Sequence, residues 1–198
     1  MKKKLKNIQT LVVGGGPAGL TLTALLAQKG VNVCCVDLEK PDTHIGETFD
    51  GRTIAVSYGS RKVLKAAGVW DSIAPVASPI ETIQISDGNS PVLLQFDSEE
   101  VGGRIFGWIV EIRHIRKALF ERIQDLKQAT HIAPVKVTGY DVTEDNVDVF
   151  LNDGTQLTVP LVIGADGRFS FTREWMGIGT RQWQYNQRAI VCTTAHEH

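Results

Sequence analysis

The chain has 198 residues, a hydrophobic content of 42% and a formal net charge of −1 at pH 7. This composition is typical of a soluble globular protein with room for one full domain, and the charge balance argues against a nucleic-acid-binding protein. Residues 2–6 make the N-terminus basic, and we expect this charge to be solvated. No apolar run is long enough to span a membrane.

The first predicted elements are a strand, a glycine-rich turn and a helix. Residues 9–13 form a short apolar run of β character, and residues 20–27 have the composition of a buried helix. The turn between them has GxGxxG spacing: Gly14 suits a tight turn, Gly16 suits close approach to a pyrophosphate, and Gly19 suits helix packing. The phosphates would then lie at the positive end of the helix dipole.

A second buried strand is predicted after this helix, and it ends in an acid. Lys29-Gly30 has the pattern of a helix end, and residues 31–36 are an almost continuous apolar run. Asp37 follows, where a carboxylate can accept hydrogen bonds from ribose hydroxyls, which favours FAD or NAD. Together these features predict a dinucleotide site, and the alternative is a tight turn followed by a solvated aspartate.

The middle of the chain does not continue as regular βαβ units. After a polar loop over 39–51, the pattern predicts a helix over 57–67, a hairpin of strands 80–86 and 92–96, a helix over 113–126, and strands over 135–141, 147–151 and 156–163. This order indicates an α/β fold in which a doubly wound sheet is interrupted by pieces of a second sheet.

A second glycine site follows the last of these strands. Asp166, before Gly167, lies at the carboxyl end of an apolar strand, where α/β proteins bind ligands. Ser170 is a predicted cap for a short helix over residues 172–176. On spacing alone, an Asp-Gly turn with a serine cap is the favoured interpretation, and a ligand site is the alternative.

The cysteines and histidines do not form a metal-binding or disulfide pattern. Cys34, Cys35 and Cys192 are too few and too unevenly spaced for either, and we expect the adjacent pair to pack in the core. His114 and His131 lack the spacing of metal ligands, so no metal site is predicted.

Four motifs in order resemble those of the single-component FAD-dependent aromatic hydroxylases. The run 14–19 with Asp37, and the Asp-Gly segment within 164–173, are similar to the two fingerprints of that family. Residues 50–60 and 110–119 resemble the ubiquinone-biosynthesis hydroxylases, in particular the 2-polyprenyl-6-methoxyphenol hydroxylase branch. The resemblance implies a Rossmann-like FAD-binding domain interrupted by part of an antiparallel substrate-domain sheet.

The resemblance also implies roles for individual residues, although it identifies no catalytic residue. Arg52 would reach the flavin phosphates and Arg113 would open the helix beside the cofactor, while an exposed charge is the alternative for each. Asp166 and Gly167 would border the pyrophosphate and the route by which NAD(P)H approaches. The implied cofactor-binding set is Gly14, Gly16, Pro17, Ala18, Gly19, Asp37, Arg52, Arg113, Asp166 and Gly167.

The implied chemistry is hydroxylation of a polyprenyl phenol in ubiquinone biosynthesis. NAD(P)H would reduce FAD, O2 would add at flavin C4a, and the resulting hydroperoxide would deliver one oxygen atom to the ring. The expected location is the cytoplasm, with peripheral contact to the inner membrane and to other ubiquinone-biosynthesis enzymes. The alternatives are a related FAD-dependent reductase or halogenase, and a non-catalytic FAD-binding or assembly subunit.

A domain division follows from the same resemblance. Residues 1–179 would form the FAD-binding domain, with inserted strands at 80–110 that belong to the substrate sheet. Residues 180–198 would begin a substrate-binding domain, with a strand over 184–194. Because members of the family are much longer and carry a Gly-Asp segment in their later half, we expect this chain to be incomplete for catalysis by itself.

Overall fold

The computed structural model describes residues 7–44, 52–88, 92–188 and 190. Its α-helices are α1 (Pro17–Gln28), α2 (Tyr58–Ala66), α3 (Trp70–Ile73), α4 (Ile112–Asp125) and α5 (Phe171–Trp175). Its strands are β1 (Thr10–Val13), β2 (Val33–Val36), β3 (Thr53–Ser57), β4 (Ser78–Ile80), β5 (Thr82–Ser86), β6 (Leu93–Asp97), β7 (Gly107–Glu111), β8 (Ala129–Ile132), β9 (Val137–Val142), β10 (Val147–Leu151), β11 (Gln156–Val159) and β12 (Leu161–Gly164). Short 3₁₀ turns cover Pro41–His44, Ala74–Val76 and Ser98–Val101.

The centre of the fold is a four-stranded parallel sheet with the strand order β12-β1-β2-β8. Val13 at the end of β1 lies beside Gly164 on one side and Val36 on the other. The chain passes from β1 through α1 to β2, and β12 returns later to the opposite side of β1. The strand order therefore reverses at β1, which is the position where open α/β sheets bind ligands. The predicted α/β class is confirmed.

A different layer covers each face of the parallel sheet. Because successive side chains in a strand point to opposite faces, Val12 and Cys35 pack in the cluster formed with α1 and α4. Leu11 and Cys34 pack instead against the antiparallel sheet β11-β10-β9. Burial on both faces explains why β1 and β2 are apolar at nearly every position.

Two further antiparallel sheets, β3-β7-β4 and the hairpin β5–β6, are formed by the segment between β2 and β8. In the hairpin, Ile83 pairs with Phe96 and Ile85 pairs with Leu94. These four side chains share one face of the hairpin and are exposed. The predicted hairpin is confirmed, whereas its assignment to a substrate sheet stays a prediction.

The single strand predicted over residues 156–163 is wrong, because two strands in different sheets cover this segment. β11 pairs antiparallel with β10, and β12 pairs parallel with β1. Pro160 lies between them, and its missing N–H cannot contribute to a strand ladder. Four strands, β3, β4, β7 and β8, and the helix α3 were not predicted as separate elements.

Some expectations fall partly or wholly outside the described residues. The strand predicted over 184–194 is not formed at 184–188 or at 190, and its other positions lie outside the described residues. Cys192 and most of the 39–51 loop also lie outside the described residues. The domain division at residue 179 stays a prediction. Among the described residues, no helix combines the length and apolar character that crossing a bilayer requires.

The adjacent thiols of β2 give a test of this buried sheet. Cys34 and Cys35 are free and buried, and burial raises the pKa of both thiols to about 12. Since the thiolate is the reactive form, we expect neither to react with a disulfide reagent in a native Cys192→Ser chain at mildly alkaline pH. Both should react after denaturation, measured by absorbance of the released thiolate. Native reaction at the denatured rate would contradict the burial of β2.

Candidate functional site

The carboxyl ends of β1, β2 and β12 meet at one edge of the parallel sheet and surround a cavity of about 250 Å³. Gly14 N donates to the Val36 carbonyl at 2.8 Å, and Ala165 N donates to the Val13 carbonyl at 2.7 Å. Both glycine sites, distant in the sequence, therefore become parts of one cavity wall. Of the predicted set, the cavity is lined by Gly14, Gly16, Asp37, Asp166 and Gly167.

The three glycines of the GxGxxG turn are required for different reasons. Gly14 has a φ of +112°, and a Cβ there would overlap the Ala165 carbonyl. A Cβ at Gly19 would overlap the Gly14 carbonyl. By contrast, Gly16 has an ordinary φ of −71°, and a Cβ there would meet nothing within 4 Å. Gly14 and Gly19 are therefore needed by the fold, whereas Gly16 keeps space open beside the cavity.

Helix α1 begins at this cavity without a side-chain cap. Gly16 occupies the cap position, Pro17 begins the helix, and the first turn contains no acidic residue. The first N–H groups of a helix have no partners within the helix, and they carry the positive end of its dipole. This arrangement suits an anionic phosphate group.

Asp37 is held in place by the backbone on both sides of its carboxylate. Gly15 N donates to Oδ2, and Glu39 N donates to Oδ1 at 2.8 Å. A Cβ on Gly15 would lie 2.9 Å from the Asp37 Cβ, so this position also requires glycine. Gly15 was not among the predicted site residues, and its place in a run of three glycines was the only signal for it.

Asp166 organises the turn that carries the second glycine site. Its Oδ1 accepts from Ser170 Oγ at 2.5 Å, and its Oδ2 accepts from Thr172 N and Oγ1 at 2.9 and 3.0 Å. Ser170 caps α5 as predicted, because its Oγ accepts from Arg173 N at 3.0 Å. Burial raises the pKa of the Asp166 carboxyl, but these hydrogen bonds outweigh it and lower the pKa below the ordinary value. The predicted Asp-Gly turn and the cavity wall are one structure.

Part of the cavity lining is apolar and was not predicted. It contains Val135 and Val137 together with Phe171. The ring of Tyr140 lies 6.1 Å from that of Phe171, and the Tyr140 hydroxyl shares a hydrogen bond of 2.7 Å with Thr172 Oγ1. Val135 and Val137 reach the site because the β9 layer packs across the parallel sheet, which their spacing in the chain does not indicate. Phe171 begins α5, five residues after Asp166.

The other predicted site residues lie apart from this cavity. Gly19 packs beneath it, and Pro17 and Ala18 line a separate apolar groove of about 480 Å³ between α1, β3 and α2. Arg52 precedes β3, and its carbonyl accepts at 2.9 Å from the N–H of the residue before Arg113. The roles of both arginines toward a cofactor stay predictions.

Arg113 and His131 each contact a neighbouring side chain, and neither belongs to a metal centre among the described residues. Arg113 Nε lies 2.7 Å from Glu111 Oε2 in an ion pair. His131 packs edge-to-face on Phe120, with ring centroids 4.8 Å apart, and burial lowers the pKa of its imidazole. Among the described residues, no group of three or more His, Cys, Asp or Glu side chains is arranged to hold a metal ion.

Comparison with known sequences gives the cavity a chemical context. The profile of the FAD binding domain family matches residues 7–194. Ubiquinone hydroxylase UbiL of Rhodospirillum rubrum is 40% identical over 192 residues, which are 97% of this chain and 44% of that protein. The 3-demethoxyubiquinol 3-hydroxylase of Escherichia coli is 29% identical over 189 residues, 94% of this chain and 48% of that protein. The chain spans less than half the length of these relatives.

Solved structures share the fold. The p-nitrophenol 4-monooxygenase PnpA of Pseudomonas putida superposes with a TM-score of 0.74 at 23% identity, over 85% of this chain and 43% of that one. PqsL of Pseudomonas aeruginosa, a probable FAD-dependent monooxygenase, superposes with a TM-score of 0.76 at 22% identity, over 90% of this chain and 48% of that one. At these identities the likeness concerns the fold alone.

The different reasons for Gly16 and Gly19 predict different consequences of replacing them with alanine. Gly16→Ala should change the free energy of unfolding by less than about 1 kcal/mol, because its Cβ meets open space. It should nevertheless weaken FAD binding by about tenfold or more, because that space adjoins the helix N-terminus. Gly19→Ala should destabilise the chain itself, by more than about 2 kcal/mol.

The free energy of unfolding and the FAD affinity can be measured on the same samples. Denaturant unfolding without FAD gives the first, and titration with FAD followed through flavin fluorescence gives the second. Equal FAD affinities of Gly16→Ala and the unchanged chain would contradict the assignment of this space to a phosphate.

The lowered pKa of Asp166 predicts a pH-dependent contribution to stability. A carboxyl with a depressed folded-state pKa stabilises the fold above its ordinary pKa of 3.8 and loses this effect as the pH falls through the folded-state value. At neutral pH, Asp166→Asn should therefore lower the free energy of unfolding by about 1–3 kcal/mol, since an amide nitrogen cannot accept from Thr172.

The difference between Asp166→Asn and the unchanged chain should shrink as the pH falls below 3.8, measured by urea unfolding at each pH. Asp145→Asn, at an exposed position, serves as the matched control and should have little effect at any pH. A difference for Asp166→Asn that does not vary with pH would contradict the role of the ionised carboxylate.

Proposed function

Because the chain belongs to the FAD binding domain family, we propose that its glycine-lined cavity binds FAD as part of a hydroxylase in ubiquinone biosynthesis. The observation that carries the proposal is the joining of both glycine sites at the edge of the sheet where the strand order reverses. The identity with ubiquinone hydroxylases supports the substrate class. The proposed reaction is NAD(P)H- and O2-dependent hydroxylation of a polyprenyl phenol.

The residues of the cavity fit the adenosine and pyrophosphate parts of FAD. The uncapped N-terminus of α1, with open space at Gly16, would receive the pyrophosphate. Asp37, fixed at the end of β2, would accept hydrogen bonds from the ribose hydroxyls. The apolar side chains of Val137 and Phe171 offer a surface for the adenine ring.

Bound FAD would supply the redox chemistry, in which NAD(P)H is the reductant and O2 is the source of the oxygen atom. The chain itself would hold the phosphates, orient the ribose and keep the second glycine turn rigid through Asp166. Arg52 and Arg113 would add positive charge toward the cofactor, and Gly167 would border the approach of NAD(P)H. We further propose a cytoplasmic location with peripheral membrane contact, where the polyprenyl substrate and other ubiquinone-biosynthesis enzymes would be met.

Titration of the purified 198-residue chain with FAD tests the proposal. We expect a saturable change in isoalloxazine absorbance at one FAD per chain. Asp37→Asn should weaken this binding by about tenfold. The asparagine amide has one acceptor oxygen in place of two, so it has less capacity to accept from both the backbone and a ribose hydroxyl. Asp145→Asn, at an exposed position outside the cavity, should bind FAD like the unchanged chain.

Catalysis is tested separately, by NAD(P)H oxidation and O2 uptake with a polyprenyl phenol after saturation with FAD. We expect little phenol-dependent turnover from the 198-residue chain alone, because hydroxylation needs a site that excludes water. Failure to bind FAD would overturn the main proposal. Rapid turnover dependent on the phenol would overturn only the expectation that these residues are incomplete for catalysis.

A further inference from the structure

Tyr140 contacts the segment after Asp166 from a different sheet. It lies in β9, is 7% exposed and is not part of the lining of the glycine-lined cavity. Its ring stacks on that of Phe171, which lines the cavity, and its hydroxyl shares a hydrogen bond of 2.7 Å with Thr172 Oγ1. Since Thr172 in turn bonds to Asp166, the Tyr140 hydroxyl is connected to the cavity lining through one intermediate residue.

The hydrogen bonds of Asp166 fix the direction in which the Tyr140 hydroxyl bonds. An ionised carboxylate can only accept, so the 3.0 Å bond between Thr172 Oγ1 and Asp166 Oδ2 uses the hydroxyl hydrogen of the threonine. Because a hydroxyl has one hydrogen, Thr172 Oγ1 accepts from Tyr140, and Tyr140 is the donor. Burial raises the pKa of the Tyr140 hydroxyl, which favours its protonated, donating form. The three side chains therefore form one directed chain of hydrogen bonds.

This chain determines how well Thr172 can serve Asp166. A threonine hydroxyl is free to rotate, and it can donate to any acceptor within reach. When Tyr140 donates to its oxygen, the hydrogen of Thr172 is directed toward Asp166 Oδ2. Hydrogen bonds in a chain also polarise one another, so donation by Tyr140 strengthens the bond from Thr172 to the carboxylate. The conformation of Asp166 and Gly167, which both line the cavity, is thereby coupled to the Tyr140 hydroxyl.

Aromatic packing holds the Tyr140 hydroxyl at this position. The Tyr140 ring lies 6.1 Å from that of Phe171, with the planes 27° apart, and 6.0 Å from that of Trp175, with the planes 71° apart. Aromatic pairs at such distances attract one another beyond the effect of burial alone. Replacing Tyr140 with phenylalanine leaves these ring contacts possible, so this variant separates the hydrogen bond from the support of the core.

We propose that Tyr140 is a positioning residue for the cofactor cavity. Its hydroxyl directs the Thr172 hydroxyl onto Asp166 and so holds the turn at Gly167 in the shape that receives FAD. The consequence for FAD binding rests on the proposed function, whereas the hydrogen-bond chain is a property of the chain without any ligand. The two parts therefore have separate experiments.

Raman spectroscopy of the 198-residue chain without FAD tests the direction of the hydrogen bond. The relative intensity of the two bands of the tyrosine Fermi doublet reports whether a phenol hydroxyl donates or accepts. The difference between the unchanged chain and Tyr140→Phe isolates the doublet of Tyr140, and we expect the pattern of a donor. The same difference measured in a Thr172→Val chain should have lost that pattern. An acceptor pattern, or a doublet that Thr172→Val does not alter, would overturn the proposal.

A double-mutant cycle, with FAD titration followed through flavin fluorescence, tests the consequence for binding. Tyr140→Phe should weaken FAD binding by about fivefold, as expected for the loss of one net hydrogen bond. Thr172→Val should weaken it at least as much, and adding Tyr140→Phe to it should cause no further loss, because the intermediate hydroxyl is already absent. Thr172→Ser keeps that hydroxyl, so it should preserve both the affinity and the response to Tyr140→Phe.

Tyr185→Phe is the matched control, because it removes the same hydroxyl from a side chain that is 72% exposed and does not line the cavity. It should bind FAD like the unchanged chain, and circular dichroism checks that every variant keeps the fold. Equal losses in Tyr140→Phe with and without Thr172→Val would show that Tyr140 does not act through Thr172, and would overturn the proposal.

Failure of this inference and failure of the proposed function give different results. A chain that binds FAD with the same affinity before and after Tyr140→Phe would refute the positioning role and leave the proposed function intact. A chain in which Tyr140 has the donor pattern but no variant binds FAD would refute the proposed function, and with it the role of Tyr140 in cofactor binding.

Discussion

The site depends on the close approach of the turn after β1 to the turn after β12. Gly14 lies so near the Ala165 carbonyl and Asp166 N that no side chain fits between them. Gly19 then lets α1 pack onto the same turn, because a Cβ at this position would overlap the Gly14 carbonyl and lie 3.3 Å from the Ala165 Cβ. This contact brings the open N-terminus of α1 and the second glycine turn to one cavity. Without it, the two glycine sites would be unrelated surface turns.

Burial of the parallel sheet on both faces makes this approach rigid. Val12 and Cys35 face the helical layer, while Leu11 and Cys34 face the antiparallel layer. The second layer also carries Tyr140, whose hydroxyl bonds with Thr172 and so reaches the turn organised by Asp166. The site is thus supported from the β9 side as well as from the α1 side. Hydrogen bonds and packing act on the same few residues, which fixes the shape of the cavity proposed to bind FAD.

The predicted elements that the structure confirms are those that local chemistry decides. The GxGxxG turn, α1, Ser170 as a helix cap and the hairpin β5–β6 all depend on residues close together in the chain. The strand predicted over 156–163 is wrong, because the segment divides at Pro160 between two sheets. An apolar run indicates burial, but it does not indicate which sheet buries it. The strands β3, β4, β7 and β8 were missed for a related reason, because their pairing partners are far away in the sequence.

The sequence by itself determined the kind of site: a glycine turn at a helix N-terminus, an acid after the next strand, and an Asp-Gly turn after a buried strand. These patterns work at short range, through backbone conformation and helix capping. Only the tertiary structure decided which of those residues meet. It joined Gly14, Gly16, Asp37, Asp166 and Gly167 in one cavity with apolar residues, and it placed Gly15 against the Asp37 carboxylate. The lining of that cavity does not include Pro17, Ala18, Gly19, Arg52 or Arg113. The physical reason is that strand order and layer packing, which bring distant segments together, arise from contacts that no local spacing specifies.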